Sequence, residues 1–217
     1  MADQLYLSLW FPNFRFDALP AAMVAVLRQF ALVGKNKRVS AAAAYPISFT
    51  EPAIYSRVYV LDARAEESKD TEDAIIENAV AECTELLHED TAYEFEMKWQ
   101  LWTPEGGEGF DTVWKLAPAT VRFLGFGPQF DDATFEQNGH IRVDFGLDTP
   151  WVFDEEEDFG DEEAQAEAAK HIKENVEMLL AFTLSVEKHC GISSRLLWTE
   201  SGEPLAEKLI ARLQRLN

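Results

Sequence analysis

Leu5, Leu7, Leu9 and Phe11 alternate with Tyr6, Ser8 and Trp10, the period of two that a strand adopts when one face is buried, and Pro12-Asn13 closes it. Leu19, Met23, Val26, Leu27 and Phe30 then fall on one face of a helix, with Asp17 placed to cap it, Pro20 in its first turn and Gly34 as its stop. Strands follow at 38–45 and 54–62, separated by Pro46 and Pro52. Ile75, Ile76, Ala79, Cys83, Leu86 and Leu87 form the buried stripe of a second helix over 72–88. The cleanest alternation in the chain is Tyr93, Phe95, Met97, Trp99 and Leu101 against Glu94, Glu96, Lys98 and Gln100, a strand with one wet side. A turn at 104–109 leads into strands at 112–116, 120–126 and 140–145. Ile172, Val176, Leu179, Thr183, Val186 and Cys190 repeat at helical spacing, predicting a long helix over 163–190 that Gly191 ends. A strand at 194–199 and a terminal helix carrying Leu205, Leu209, Leu213 and Leu216 complete the order.

This succession predicts an α+β fold: a mixed, mainly antiparallel sheet with helices packed on one face. The opening β-α-β-β-α-β order raises the option of two degenerate ferredoxin-like halves. The chain reads as a single α+β domain over 1–217, with a sub-division into 1–90 and 91–217 as the alternative. Eight acids in the ten positions 154–163 read as a mobile acidic linker.

Charge sharpens the picture. Nineteen basic residues stand against 39 acidic ones, a net −20. Residues 1–64 carry +3 and 195–217 carry +1, so the middle of the chain holds −24. Such a field disfavours nucleic acid and anionic lipid as partners. No stretch approaches the ~18 apolar residues of a membrane span. Two cysteines, Cys83 and Cys190, offer no disulfide framework. The expectation is a cytoplasmic protein that needs no cofactor.

Candidate chemistry is sparse. P-loop, dinucleotide-binding, zincin and nucleophile-elbow motifs do not occur in the sequence. That removes every specific enzymatic reading and tilts the expectation towards a protein that is not an enzyme. Asp131, Asp132 and Glu136, in the loop that follows Gly125-Phe126-Gly127-Pro128, supply oxygen ligands suited to a hard cation such as calcium, although their spacing is not that of an EF-hand. His140, Asp144 and Asp131 are the polar groups from which a ligand pocket between the sheet and the long helix would be built. His171 and His189 lie five helical turns apart, about 27 Å, too far to share a metal.

Six tryptophans are many for 217 residues. Tyr6 and Trp10 lie opposite the leucine stripe of the first strand, and Trp102 falls on the polar side of its own. Aromatic residues where a sheet face should be wet predict that something covers it. Burial under the chain's own helices is the first expectation for that face, and a homodimer interface the next. The missing motifs and the charge asymmetry make a non-catalytic binding or interaction protein the leading expectation, a homodimer or the partner of a basic protein, with Tyr6, Trp10 and Trp102 as the candidate contact surface. A small-ligand receptor or enzyme and a calcium-stabilised domain are the alternatives.

Overall fold

The computed structural model of the protein describes residues 3–59, 75–106, 112–151 and 162–201. Its strands are β1 (Gln4–Trp10), β2 (Ala41–Pro46), β3 (Tyr55–Val58), β4 (Thr91–Gly106), β5 (Thr112–Phe126), β6 (Ile141–Leu147) and β7 (Ser194–Thr199). They form one seven-stranded sheet in the order β3-β2-β4-β5-β6-β1-β7, with every neighbouring pair antiparallel. The helices are α1 (Leu19–Gly34), α2 (Ile76–Cys83), the short α3 (Thr134–Asn138) and α4 (Glu162–His189). The α+β class and the antiparallel sheet are as the hydrophobic pattern predicts. The ferredoxin-like halves are not seen: β1 lies between β6 and β7, so the first strand is paired with the end of the chain and not with strands of its own half. Alternation fixes which face a residue takes but not which strand lies beside it.

One face of the sheet carries the main core. Leu5, Leu7 and Leu9 of β1, Phe95, Met97 and Trp99 of β4, Val121 and Phe123 of β5, and Ile141, Val143 and Phe145 of β6 are buried there beneath α1, α2 and α4. Phe30 of α1 joins the layers, with ring centroids 4.9 Å from Trp99, 5.1 Å from Phe123 and 5.5 Å from Phe182 of α4. A smaller cluster of Ala92, Leu124, Phe126 and Phe130, flanked by Tyr45 and Phe135, lies on the opposite face. The Gly127–Gly139 connection and α3 thus roof one end of the side that the large helices leave open.

Local signals are corrected in three places. Asp17 makes no cap bond to α1; it sits in a 3-10 turn at Phe16–Ala18 and pairs with Arg15 at 2.9 Å. Gly34 is still helical, and Lys35 takes the left-handed position that ends α1, at φ 54°. Gly34 is needed for close approach instead, since a Cβ there would stand 3.2 Å from the Cβ of Trp99. The two strands expected at 112–116 and 120–126 are one, β5, running through Pro118. β6 pairs with Arg122–Gly125, so Pro118 sits where the far edge of β5 has no neighbour among the described residues and its missing N–H costs no ladder bond.

The stretch Phe16–Gly34 does reach the length and hydropathy of a membrane span by composition alone, contrary to the first reading of the sequence. Its Leu19, Met23, Val26, Leu27 and Phe30 are packed into the core, which accounts for the apolar content. The later part of the strand expected at 54–62, the first turn of the helix expected from 72, the tip of the 104–109 turn, the acidic run up to residue 161 and the terminal helix lie outside the described residues.

Candidate functional site

Among the described residues, two surfaces set polar groups beside aromatic rings. The first is the open face of the sheet. Cross-strand register places Glu96, Arg122, Asp144, Tyr6 and Trp198 in one row across β4, β5, β6, β1 and β7, and Glu94, Leu124, Arg142, Ser8 and Leu196 in the next. Arg122 Nε donates to Glu96 Oε1 at 3.2 Å. The Arg142 guanidinium lies between two rings, 5.1 Å from the centroid of Tyr6 and 5.3 Å from that of Phe126. Desolvation depresses the Arg142 pKa below its ordinary value and raises that of Glu94, with the nearby Arg122 opposing the rise. Burial, helped by the Asp144 charge, likewise holds the Tyr6 hydroxyl protonated above its usual range.

Along these rows charge gives way to aromatic surface. The rings of Tyr6 and Trp198 meet at 4.7 Å, and Trp198 Nε1 donates to the Ser8 hydroxyl at 3.0 Å. Leu196 stays half exposed, at 52%. Among the described residues β7 has a neighbour on one side only, which leaves a six-residue strand edge. Trp10 is half-buried on this same face, its carbonyl accepting from the Ser193 N–H at 2.7 Å. Trp102 is not with them. Its ring turns to α4, 3.9 Å from His171 between centroids, and its Nε1 donates to Glu174 at 2.7 Å. The expected Tyr6, Trp10 and Trp102 group therefore divides into two places.

The expected ligand residues are engaged elsewhere. His140 is stacked on Phe14 at 4.2 Å, and its Nδ1 accepts the Phe11 N–H at 3.0 Å. It pins the end of β1, and burial pushes its pKa down. Asp144 accepts the Gly146 N–H at 2.8 Å. Asp131 and Asp132 are exposed, at φ 44° and 51°, in a left-handed turn with Ala133. No three His, Cys, Asp or Glu side chains among the described residues stand close enough to hold a metal ion, so Asp131, Asp132 and Glu136 do not converge. Both thiols are held protonated by burial, Cys83 at about 12 and Cys190 at about 11.

The second surface is a cleft of about 610 Å³ between the end of α1, the edge of β4 and α4. It does lie between sheet and long helix, but none of His140, Asp144 or Asp131 lines it. Its floor is Trp99, its apolar walls include Val33, Leu116 and Met178, and Lys35 and Lys98 stand on its rim. Two asparagines hold the β4 edge where β2 no longer covers it. Asn36 Nδ2 donates to the Lys98 carbonyl at 3.0 Å. Asn175, 1% exposed, accepts the Trp102 N–H at 3.0 Å and donates to the carbonyls of Trp102 and Pro150, both at 2.8 Å. Sequence reading missed this site. One signal was present: Asn175 interrupts the apolar stripe of Ile172, Val176 and Leu179, and a buried amide on a helix has to find partners. No family model matches the chain, and comparisons with curated proteins and with solved structures return no match.

Proposed function

We propose that the protein is a non-catalytic interaction module that self-associates through the β7 end of its sheet, one copy's β7 edge pairing with that of a second. The observation that supports this reading is the distribution of charge along the sheet. β1 and β7 together contain one charged residue, Arg195, and that residue is paired with Glu187 at 2.8 Å. Two copies of a −20 chain repel each other over most of their surfaces, and this end of the sheet is where the repulsion is least. β7 has no proline and no lysine, and its one charge on the helix-covered face, Arg195, is paired with Glu187. An antiparallel β7–β7 contact is self-complementary, as a two-fold dimer requires. It extends the sheet by backbone hydrogen bonds and brings Leu196 and the Tyr6–Trp198 pair to the joint.

The variant that tests it is Leu196→Lys. A two-fold contact meets the substitution twice, and at roughly 0.7 kcal/mol of lost apolar burial in each copy the dimer weakens about tenfold. Sedimentation velocity over a concentration series reads this shift. A wild-type protein that stays monomeric at every concentration sinks the proposal, as does a dimer that Leu196→Lys leaves unchanged.

A further inference from the structure

The cleft at the β4 edge is separate from the self-association surface at β7. In a strand, the N–H and C=O of every second residue point to the same edge. On β4 the carbonyls of Glu96, Lys98 and Trp102 and the Trp102 N–H are all bonded on the β2 side, by Ser40, Asn36 and Asn175. Gln100 has the same parity, so its N–H and C=O point into the cleft, as does the Lys98 N–H. These three groups have no protein partner among the described residues. Pro118, directly opposite Gln100 in β5, agrees with this, because a proline fits opposite a residue whose bonds point away from it.

We propose that this cleft binds an extended peptide segment of another protein, which adds two or three residues to the β4 edge at Gln100. The two asparagines set its length. At ~3.3 Å per residue, Lys98 and Trp102 are about 13 Å apart, room for a short extended segment and not for a full strand. The volume of about 610 Å³ suits such a segment with one apolar side chain against Trp99, Val33 and Met178. Charge specifies the remainder. Lys35 and Lys98 have no ion-pair partner among the described residues and outnumber the one carboxylate of the lining, Glu174, which keeps its charge while accepting from Trp102 Nε1, so the cleft is net positive within an otherwise acidic protein. The segment recognised is thus an apolar residue beside a carboxylate, held by its backbone.

The test uses the 15N-labelled chain of 217 residues and a pool of capped pentapeptides, X-Glu-X-Glu-X, with X drawn from Leu, Phe and Val. Without peptide, the Gln100 amide exchanges with solvent faster than those of Trp99 and Leu101, which face β5. The pool at millimolar concentration shifts and protects Gln100 and Lys98. Gln100→Ala keeps the backbone N–H and retains binding; Gln100→Pro removes it without touching a β5 bond and weakens binding about tenfold. Should Gln100→Pro fail to fold, the same pool N-methylated at its central amide loses affinity for the wild-type chain by a similar factor. A pool with Lys in place of Glu binds more weakly. A Gln100 amide protected before any peptide is added, no response at millimolar pool, or equal binding by Gln100→Ala and Gln100→Pro overturns the proposal.

Discussion

Replacing Asn175 by leucine removes three hydrogen bonds in one step while nearly conserving volume. The Trp102 N–H and the carbonyls of Trp102 and Pro150, now at 2.8–3.0 Å from the amide, are left facing an apolar side chain. At ~1 kcal/mol for each bond the loss is about 3 kcal/mol, and stranding the three partners adds to it. Burial of the leucine offsets part of this, since Asn175 is only 1% exposed and the site is already dry. The net destabilisation is about 2–3 kcal/mol, which for a chain of this size lowers Tm by about 5–10 °C. Calorimetry measures the shift, and hydrogen exchange locates it: the Trp102 amide loses protection before those of Phe95 and Met97, which sit between β2 and β5. Leu184→Ala, on the exposed side of α4 at 56% exposure, is the control and stays within ~0.5 kcal/mol of wild type. A Leu variant as stable as that control refutes the assignment of Asn175 as the clamp between α4 and the β4 edge.

Gly127 admits no side chain, because a Cβ would lie 2.3 Å from the Glu89 carbonyl oxygen, a backbone atom that cannot swing aside. Gly127→Ala is expected to cost about 2 kcal/mol or more in chemical denaturation, and a neutral result contradicts the close packing of that turn. His140 gives stability a pH dependence of defined sign. Its pKa is depressed by burial below the ordinary 6.5, so the unfolded chain binds the proton first. The contribution is complete above that value and is lost as pH falls from there to the depressed native value. His140→Gln, which keeps an acceptor for the Phe11 N–H, should flatten this part of the Tm–pH curve; identical curves argue against the buried neutral imidazole. Cys83 and Cys190, protonated at neutral pH by their raised pKa values, should react with iodoacetamide far more slowly than free cysteine until denaturant is added, which mass spectrometry follows.

The strands and their faces were legible because alternation is a local property. Leu5, Leu7 and Leu9 needed no partner to be recognised as a buried row, and β7 was read to the residue. Pairing was not legible, since nothing local joins Leu7 to both Val143 and Leu197, 190 residues away in the second case. The aromatic residues divide for a related reason. Tyr6 and Trp10 stay on the face their strand dictates, whereas Trp102, with the same parity as the polar row of β4, lies beyond the reach of β2 and turns towards His171. His140 looked like chemistry because histidine titrates near neutrality. Its surroundings, Phe11 and Phe14 from far away in sequence and Phe135 from the short α3, make it a packing residue with one accepted hydrogen bond. The cleft was invisible because its most telling groups are backbone atoms of Gln100, which no side-chain pattern encodes.

Self-association through β7 is decided by native mass spectrometry of the gently purified chain, with Leu196→Lys run beside it. A species of two chains without added mass is expected, shifted towards one chain in the variant. A wild-type spectrum with one chain only, or a dimer that persists undiminished in Leu196→Lys, contradicts it.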